Sequence, residues 1–192
     1  GADSGLCATC VCYGQLAALK DLGYDGYYEL MTSLGFDVPK LEEDPESFIK
    51  NKMMPQVLTT VYQGSAVSGS VTRTAALKLA RNIGAQHYEW SIASLVSDYV
   101  DIINATTPDD PLNWERDDLT LQNIQARVRS PGIWMIANRY NKLLMTTCNS
   151  SEEAVGYCTM DGDTSGGIAP IGDIAKSRIL KINAYIAEKG LK

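Results

Sequence analysis

Histidine occurs once in the 192 residues, at His87, and basic side chains are outnumbered, 17 lysines and arginines against 23 aspartates and glutamates. A single histidine leaves too few ligands for a closed four-ligand zinc site, because Cys7-x-x-Cys10-x-Cys12 is followed by no second Cys-x-x-Cys pair. These three thiols are therefore expected to be reduced and metal-free, on the inner face of a helix. The net charge of −6 argues against a nucleic-acid partner. No apolar run approaches the roughly 18 residues that would span a bilayer, so no membrane partner is expected. The opening Gly1-Ala2-Asp3-Ser4 lacks a basic stretch, which argues against a secretory leader. Five cysteines are an odd number, which favours reduced thiols and a cytoplasmic location over a disulfide framework. Walker A, GxGxxG, HExxH and GxSxG patterns are all missing.

What is present is an alternation of helical and strand patterns within one expected domain, residues 1–192. Leu6, Cys7, Cys10, Val11, Leu16, Ala17 and Leu19 have helical spacing behind a glycine-serine start. Such a start leaves unpaired N–H groups that can seat an anion. Gly23-Tyr24-Asp25-Gly26 reads as a turn, Tyr27 to Leu34 as a connecting helix, and Pro39 to Glu46 as irregular. Val57 to Tyr62 reads as a β-branched strand, Ser70 or Thr72 to Gly84 as a helix, and His87 to Trp90 as a second strand. His87, at that strand's start, is assigned a structural or surface role. Ile92 to Asn104 fits an amphipathic helix and Thr106 to Asp118 a polar loop. Thr120 to Tyr140 is helical in pattern and should kink or break at Pro131-Gly132. The alternation predicts an α/β fold, a parallel sheet flanked by helices, with ligands at the carboxyl ends of its strands.

The stretch from Asn141 to Lys176 carries most of the chemistry. Leu143-Leu144-Met145 predicts a short buried parallel strand ending at Thr146-Thr147, on the same sheet edge as Thr60 to Tyr62 and close to Ser4. Asn149 and Ser150 are good helix caps, and Glu152 and Glu153 would fall in the first turn, where the helix dipole favours carboxylates in any case. The loop from Asp161 to Gly167 has three glycines, which let backbone approach a ligand closely. Pro170 and Asp173 restart structure, and Lys176 stands near the start of a last helix. A strand edge, hydroxyls, paired carboxylates, a glycine loop and a lysine suit a phosphate-bearing ligand with a cation.

Taken together, GADS at Gly1 to Ser4, YQGS at Tyr62 to Ser65, WERDD at Trp114 to Asp118, QNIQARVR up to Arg129, TTCNSSEEAVGY, MDGDTSGGIAPI and Lys176 run in one order over most of the chain. This order resembles the synthetase domain of NAD synthetases, most closely the glutamine-dependent bacterial kind. Those are ATP pyrophosphatases with an SGGxDS phosphate loop and an adenine nucleotide alpha-hydrolase-like fold. GADS would be the end of that loop. Its first residues, the strand before it, the upstream glutaminase domain and a C-terminal closing segment are not in this chain, which is expected to be truncated at both ends.

The resemblance implies amidation of deamido-NAD to NAD+ through an acyl-adenylate, with ATP and Mg²⁺ and with ammonia drawn from glutamine or from solution. By motif position it implies Asp3, Glu152 and Lys176 as catalytic residues, Asp3 and Glu152 sharing the magnesium. Gly1, Ser4, Tyr62, Thr147 and Lys176 would hold ATP, with Gln63 near the adenine. Asn123, Arg127, Arg129, Asp163 and Thr164 would place deamido-NAD, in a homodimer. Two alternatives remain: another ATP pyrophosphatase amidating a different substrate, or a nucleotide-binding module without turnover. Separate titrations of ATP·Mg and deamido-NAD, with a check for AMP, discriminate them.

Overall fold

The computed structural model describes residues 1–190. The chain divides into two compact units, one of residues 1–62, 69–88 and 179 onward, the other of residues 63–68 and 89–178. No helix among the described residues is long and apolar enough to cross a membrane.

The first unit is built on helix α1, Ala2–Ser33, which is broken at Gly23, whose φ of 67° and ψ of 175° are not helical. The sequence marked that turn, and the helix resumes beyond it to include Tyr27, which is completely buried. Tyr27 meets Phe48 edge-on at 6.5 Å, and its hydroxyl donates to Gln15 Oε1 at 2.6 Å, so the ring's polar end is satisfied. Phe48 arrives on a compact helical stretch of which the sequence reading placed only the first two residues, Pro45 and Glu46, in an irregular segment. Helix α2 (Pro45–Phe48) is capped by the Asp44 carboxylate and has proline in its first position, and a π turn (Ile49–Met53) and helix α3 (Met54–Val57) follow directly. Phe48, Ile49, Met53 and Met54 are all buried.

Strand β1 is Thr59–Gly64 and strand β2 Gln86–Ser91, with helix α4, Ser70–Ile83, between them. The Gln86 N–H donates to Leu58 O at 3.0 Å, and six residues on the Ile92 N–H donates to Gly64 O at 2.8 Å, a constant register that makes the pair parallel. His87 Nδ1 lies 2.8 Å from the Thr60 hydroxyl. Helix α4 ends where Gly84 turns left-handed at φ 74°.

In the second unit helix α5 (Ala93–Thr106) leads to α6 (Asp118–Arg127) and α7 (Arg129–Arg139). The expected break in the Thr120–Tyr140 helix comes at Val128 rather than at Pro131-Gly132. Pro131 sits in the first turn of α7, where its missing N–H costs no hydrogen bond. Helix α8 (Ser150–Ala154) and helix α9 (Lys176–Lys189) complete the chain.

The Leu143–Met145 run corrects the sequence reading: it forms no strand, only a single parallel bridge from Met145 to Ile168. Asn141, at φ 50°, turns the chain just before it, and its partner is the glycine loop, which has no regular strand to extend a ladder.

Burial has a chemical consequence for the thiols and Tyr27. Desolvation first, then the neighbouring Cys10, pushes the Cys7 thiol up to about 11 from 9.0, and burial pushes Tyr27 from 10.0 to about 12. The folded state keeps protons that the unfolded chain has released, so their stabilisation is complete below pH 9 and is lost as pH rises through the folded-state values. Unfolding midpoints in urea should therefore fall steadily between pH 9 and 11, with a Cys7→Ala slope shallower by up to about 1.4 kcal/mol per pH unit. An unchanged slope in Cys7→Ala would remove that thiol from the account.

Candidate active site

Asn149 is fully buried, and its Oδ1 accepts from the N–H groups of Ser151 and Glu152, both at 3.1 Å. That cap, the residue directly after Cys148, starts α8 at Ser150 and places Glu152 in its first turn. The Ser151 hydroxyl accepts from the backbone N–H of Lys176 at 3.0 Å, so the start of α8 satisfies the first orphan donor of α9. The two helix starts are thus tied, and the Lys176 ammonium reaches Glu152 Oε1 at 3.4 Å. Both side chains remain partly exposed, 39% for Lys176 and 28% for Glu152, so the pair is long, solvated and able to open.

Beside this pair lies a cavity of about 340 Å³, lined by Thr146, Cys148, Glu153, Thr164, Gly166, Gly167, Ile168 and Ala169. Its floor is held by backbone: Thr146 N–H donates to Ile168 O at 2.9 Å, and Gly167 N–H to Leu144 O at 2.8 Å. The Thr146 hydroxyl also donates to Asp163 O. A Cβ on Gly166 would stand 2.6 Å from the Thr146 nitrogen, and one on Gly162 3.0 Å from the Ala126 carbonyl carbon. The glycines of this loop therefore answer first to the protein's own backbone, whereas the sequence reading assigned their freedom to a ligand.

The same loop is stitched to α6. The Thr159 hydroxyl donates to Asn123 Oδ1 at 3.1 Å, Arg127 Nε donates to Met160 O at 3.1 Å, and the Thr159 N–H donates to Asp163 Oδ2 at 3.3 Å. The Thr164 hydroxyl donates to Thr159 O at 3.4 Å. Arg129 Nη1 turns back onto Gln125 O at 2.8 Å. The second unit thus contains Asn123, Arg127, Arg129, Thr147, Glu152, Asp163, Thr164 and Lys176. Gly1, Asp3, Ser4 and Tyr62 belong to the first unit. There Asp3 stands in the first turn of α1, Ser4 Oγ lies 3.1 Å from the Gly1 nitrogen, and the Tyr62 hydroxyl lies 3.1 Å from the Thr72 hydroxyl. Gln63 accepts from Trp90 Nε1 at 3.1 Å, a structural partner rather than a free group.

One group of chemically active residues escaped the sequence reading: Cys148, Glu152 and Cys158 place their ligand atoms within 4.8 Å of one another. The available signal was Gly156, whose φ of 68° reverses the chain after the short helix and returns Cys158 towards Cys148. Burial first, and then the adjacent Cys158, together raise the Cys148 thiol from 9.0 to about 12.

Residues 47–188 match the NAD synthase family. A solved glutamine-dependent NAD(+) synthetase from Cytophaga hutchinsonii superposes with a TM-score of 0.91 at 44% identity, over 98% of this chain and 33% of that one. The structure of the Acinetobacter baumannii glutamine-dependent NAD+ synthetase in complex with ADP matches with a TM-score of 0.59 at 27% identity, over 65% of this chain and 23% of that one. Among curated relatives, the glutamine-dependent NAD(+) synthetase of Mus musculus is 28% identical over 202 residues, which is 98% of this chain and 27% of the relative. The chain therefore spans a third or less of these relatives. The likeness agrees with the parallel pairing of β1 and β2 and with the α/β fold of the ATP pyrophosphatases. The chain belongs to the NAD synthase family.

Proposed function

We propose that this chain is the synthetase part of an enzyme that amidates deamido-NAD to NAD+ at the expense of ATP. The observation that carries the reading is the Glu152–Lys176 pair, held between two tied helix starts beside the glycine-loop cavity. Adenylation joins a carboxylate oxygen of the nicotinate to the α-phosphorus and expels pyrophosphate. Ammonia then attacks the acyl carbon, and AMP leaves with its electron pair. Both steps gather negative charge at phosphates, which a positioned ammonium lowers in energy. Lys176 is the candidate for that ammonium, because its pairing with Glu152 is weak enough to exchange for a phosphate oxygen.

Magnesium fits the chemistry of the donors on one side only. Glu152 offers a hard, partly exposed carboxylate oxygen of the kind magnesium takes together with waters and phosphates. The neighbouring Cys148 and Cys158 sulfurs are soft and do not suit it. Bound there, the ion would neutralise charge on the departing pyrophosphate. Asp3, in a helix's first turn, is the second carboxylate that the family resemblance assigns to the ion, with Gly1 and Ser4 as phosphate donors. Thr147 and Tyr62 are assigned to ATP, and Asn123, Arg127, Arg129, Asp163 and Thr164 to deamido-NAD. A homodimer, an upstream glutaminase domain as ammonia source and a cytoplasmic location complete the proposal.

The test is product analysis on the natural full-length protein with ATP, Mg²⁺, deamido-NAD and ammonium chloride. NAD+, AMP and pyrophosphate should appear in equal amounts. Release of ADP and phosphate, or binding of ATP without AMP formation, would overturn the reading.

A further inference from the structure

Cys148 and Cys158 are free thiols whose sulfurs stand 2.7 Å apart. Two thiolates on one tetrahedral zinc would stand roughly 3.8 Å apart, given Zn–S distances near 2.3 Å, so the pair is set closer than metal ligation needs. A covalent link needs a further approach to about 2.05 Å. The two differ in access: Cys148 is 2% exposed and lines the cavity, while Cys158 is half-buried and reachable by a small molecule. The segment between them holds α8 with Glu152, and Gly156 supplies the turn that brings Cys158 back. Asn149 already anchors one end of that segment.

We infer that Cys148 and Cys158 form a reversible disulfide modification site, and that its closure fixes the Glu152 helix against the wall of the cavity. The oxidant is a low-molecular-weight disulfide. The Cys158 thiolate attacks one of its sulfurs, a mixed disulfide forms and one small thiolate leaves. The Cys148 sulfur then attacks Cys158 Sγ, passes its proton to the departing small thiolate, and the protein disulfide closes. Two protein thiols are oxidised and one small disulfide is reduced to two thiols. Closure removes the sulfur next to the cavity as a free thiol and restrains Glu152, which must leave Lys176 for the chemistry proposed above. The effect on rate rests on that reading; the crosslink does not.

The experiment treats the natural full-length protein with oxidised glutathione, then alkylates it in denaturant. Trypsin releases both cysteines in one peptide, residues 143–176, because no lysine or arginine lies between Lys142 and Lys176. Cleavage at Glu152 or Glu153 then separates the two cysteines unless they are linked. The expected result is an unalkylated pair whose fragments stay joined until dithiothreitol is added. Hydrogen exchange over residues 149–157 should also slow on oxidation. Pyrophosphate release should fall roughly 10- to 100-fold, the scale of a sub-ångström to 1 Å misplacement, and recover on reduction. Cys158→Ser should keep the basal rate and lose the sensitivity. Full alkylation of both thiols, a glutathione adduct that stays on Cys158, stoichiometric zinc shielding the pair, or a crosslink that leaves exchange and rate unchanged would each overturn the inference. If the reduced protein makes no NAD+, the proposed function fails, while peptide mapping and exchange still decide the crosslink.

Discussion

Glu152→Gln is expected to lower pyrophosphate release from ATP and deamido-NAD by roughly 10² or more, the scale of losing one preorganised electrostatic group. The substitution keeps the shape of the side chain and removes its charge, and with it the hard oxygen that a magnesium ion would require. Its cost to folding should be small. The ion pair with Lys176 is 3.4 Å long and partly exposed, and a first-turn carboxylate gains only about 0.3–1 kcal/mol from the helix dipole. The cap that builds α8 comes from Asn149 and accepts the backbone N–H of residue 152, so it survives the change. A rate and a magnesium dependence equal to those of the unaltered protein would reduce Glu152 to a helix-start residue. A loss of rate accompanied by an equal loss of thermal stability would mean that the pair is structural.

Gly84→Ala should cost a large share of the chain's stability. Gly84 closes α4 at φ 74°, and a Cβ there would stand 1.8 Å from the Lys50 carbonyl oxygen and 2.7 Å from its carbon. The left-handed conformation alone costs an alanine roughly 1–2 kcal/mol. Displacing a backbone carbonyl beside the buried Ile49 adds an overpacking cost of about 1–3 kcal/mol. The sum is a large fraction of the ~5–15 kcal/mol that holds a typical domain together. Gly156→Ala is the control, since Gly156 has a φ of 68° but nothing within 4 Å of its Cβ position. Chemical denaturation should show Gly156→Ala losing only the conformational part. Equal losses in the two variants would show that Lys50 yields freely.

Local signals in the chain were sufficient for several elements, including the start of α8. The β-branched run at Thr59 to Tyr62, the left-handed glycine after Ile83 and the Asn149 cap before two glutamates each act through neighbours in sequence. Their outcome is therefore written in residue order. Lys176 as the first residue of the last helix belongs to the same class. The Leu143–Met145 run shows the limit: an apolar triplet reads as a strand, but a ladder needs a partner strand, and its neighbour is a glycine loop. The break at Val128, in place of Pro131, shows it again, because a proline is tolerated in a first turn and composition does not say where that turn begins.

By itself the sequence determined that this is an α/β chain of the NAD synthase family, with a capped carboxylate helix and a lysine-headed final helix. Only the tertiary structure decided what Gly162 and Gly166 are for, that Ser151 ties Lys176 to the start of α8, and that two thiols ten positions apart meet at 2.7 Å. The physical reason is range. Caps, turns and periodicity are settled within a few residues, whereas a steric approach or a thiol contact depends on where the fold returns the chain.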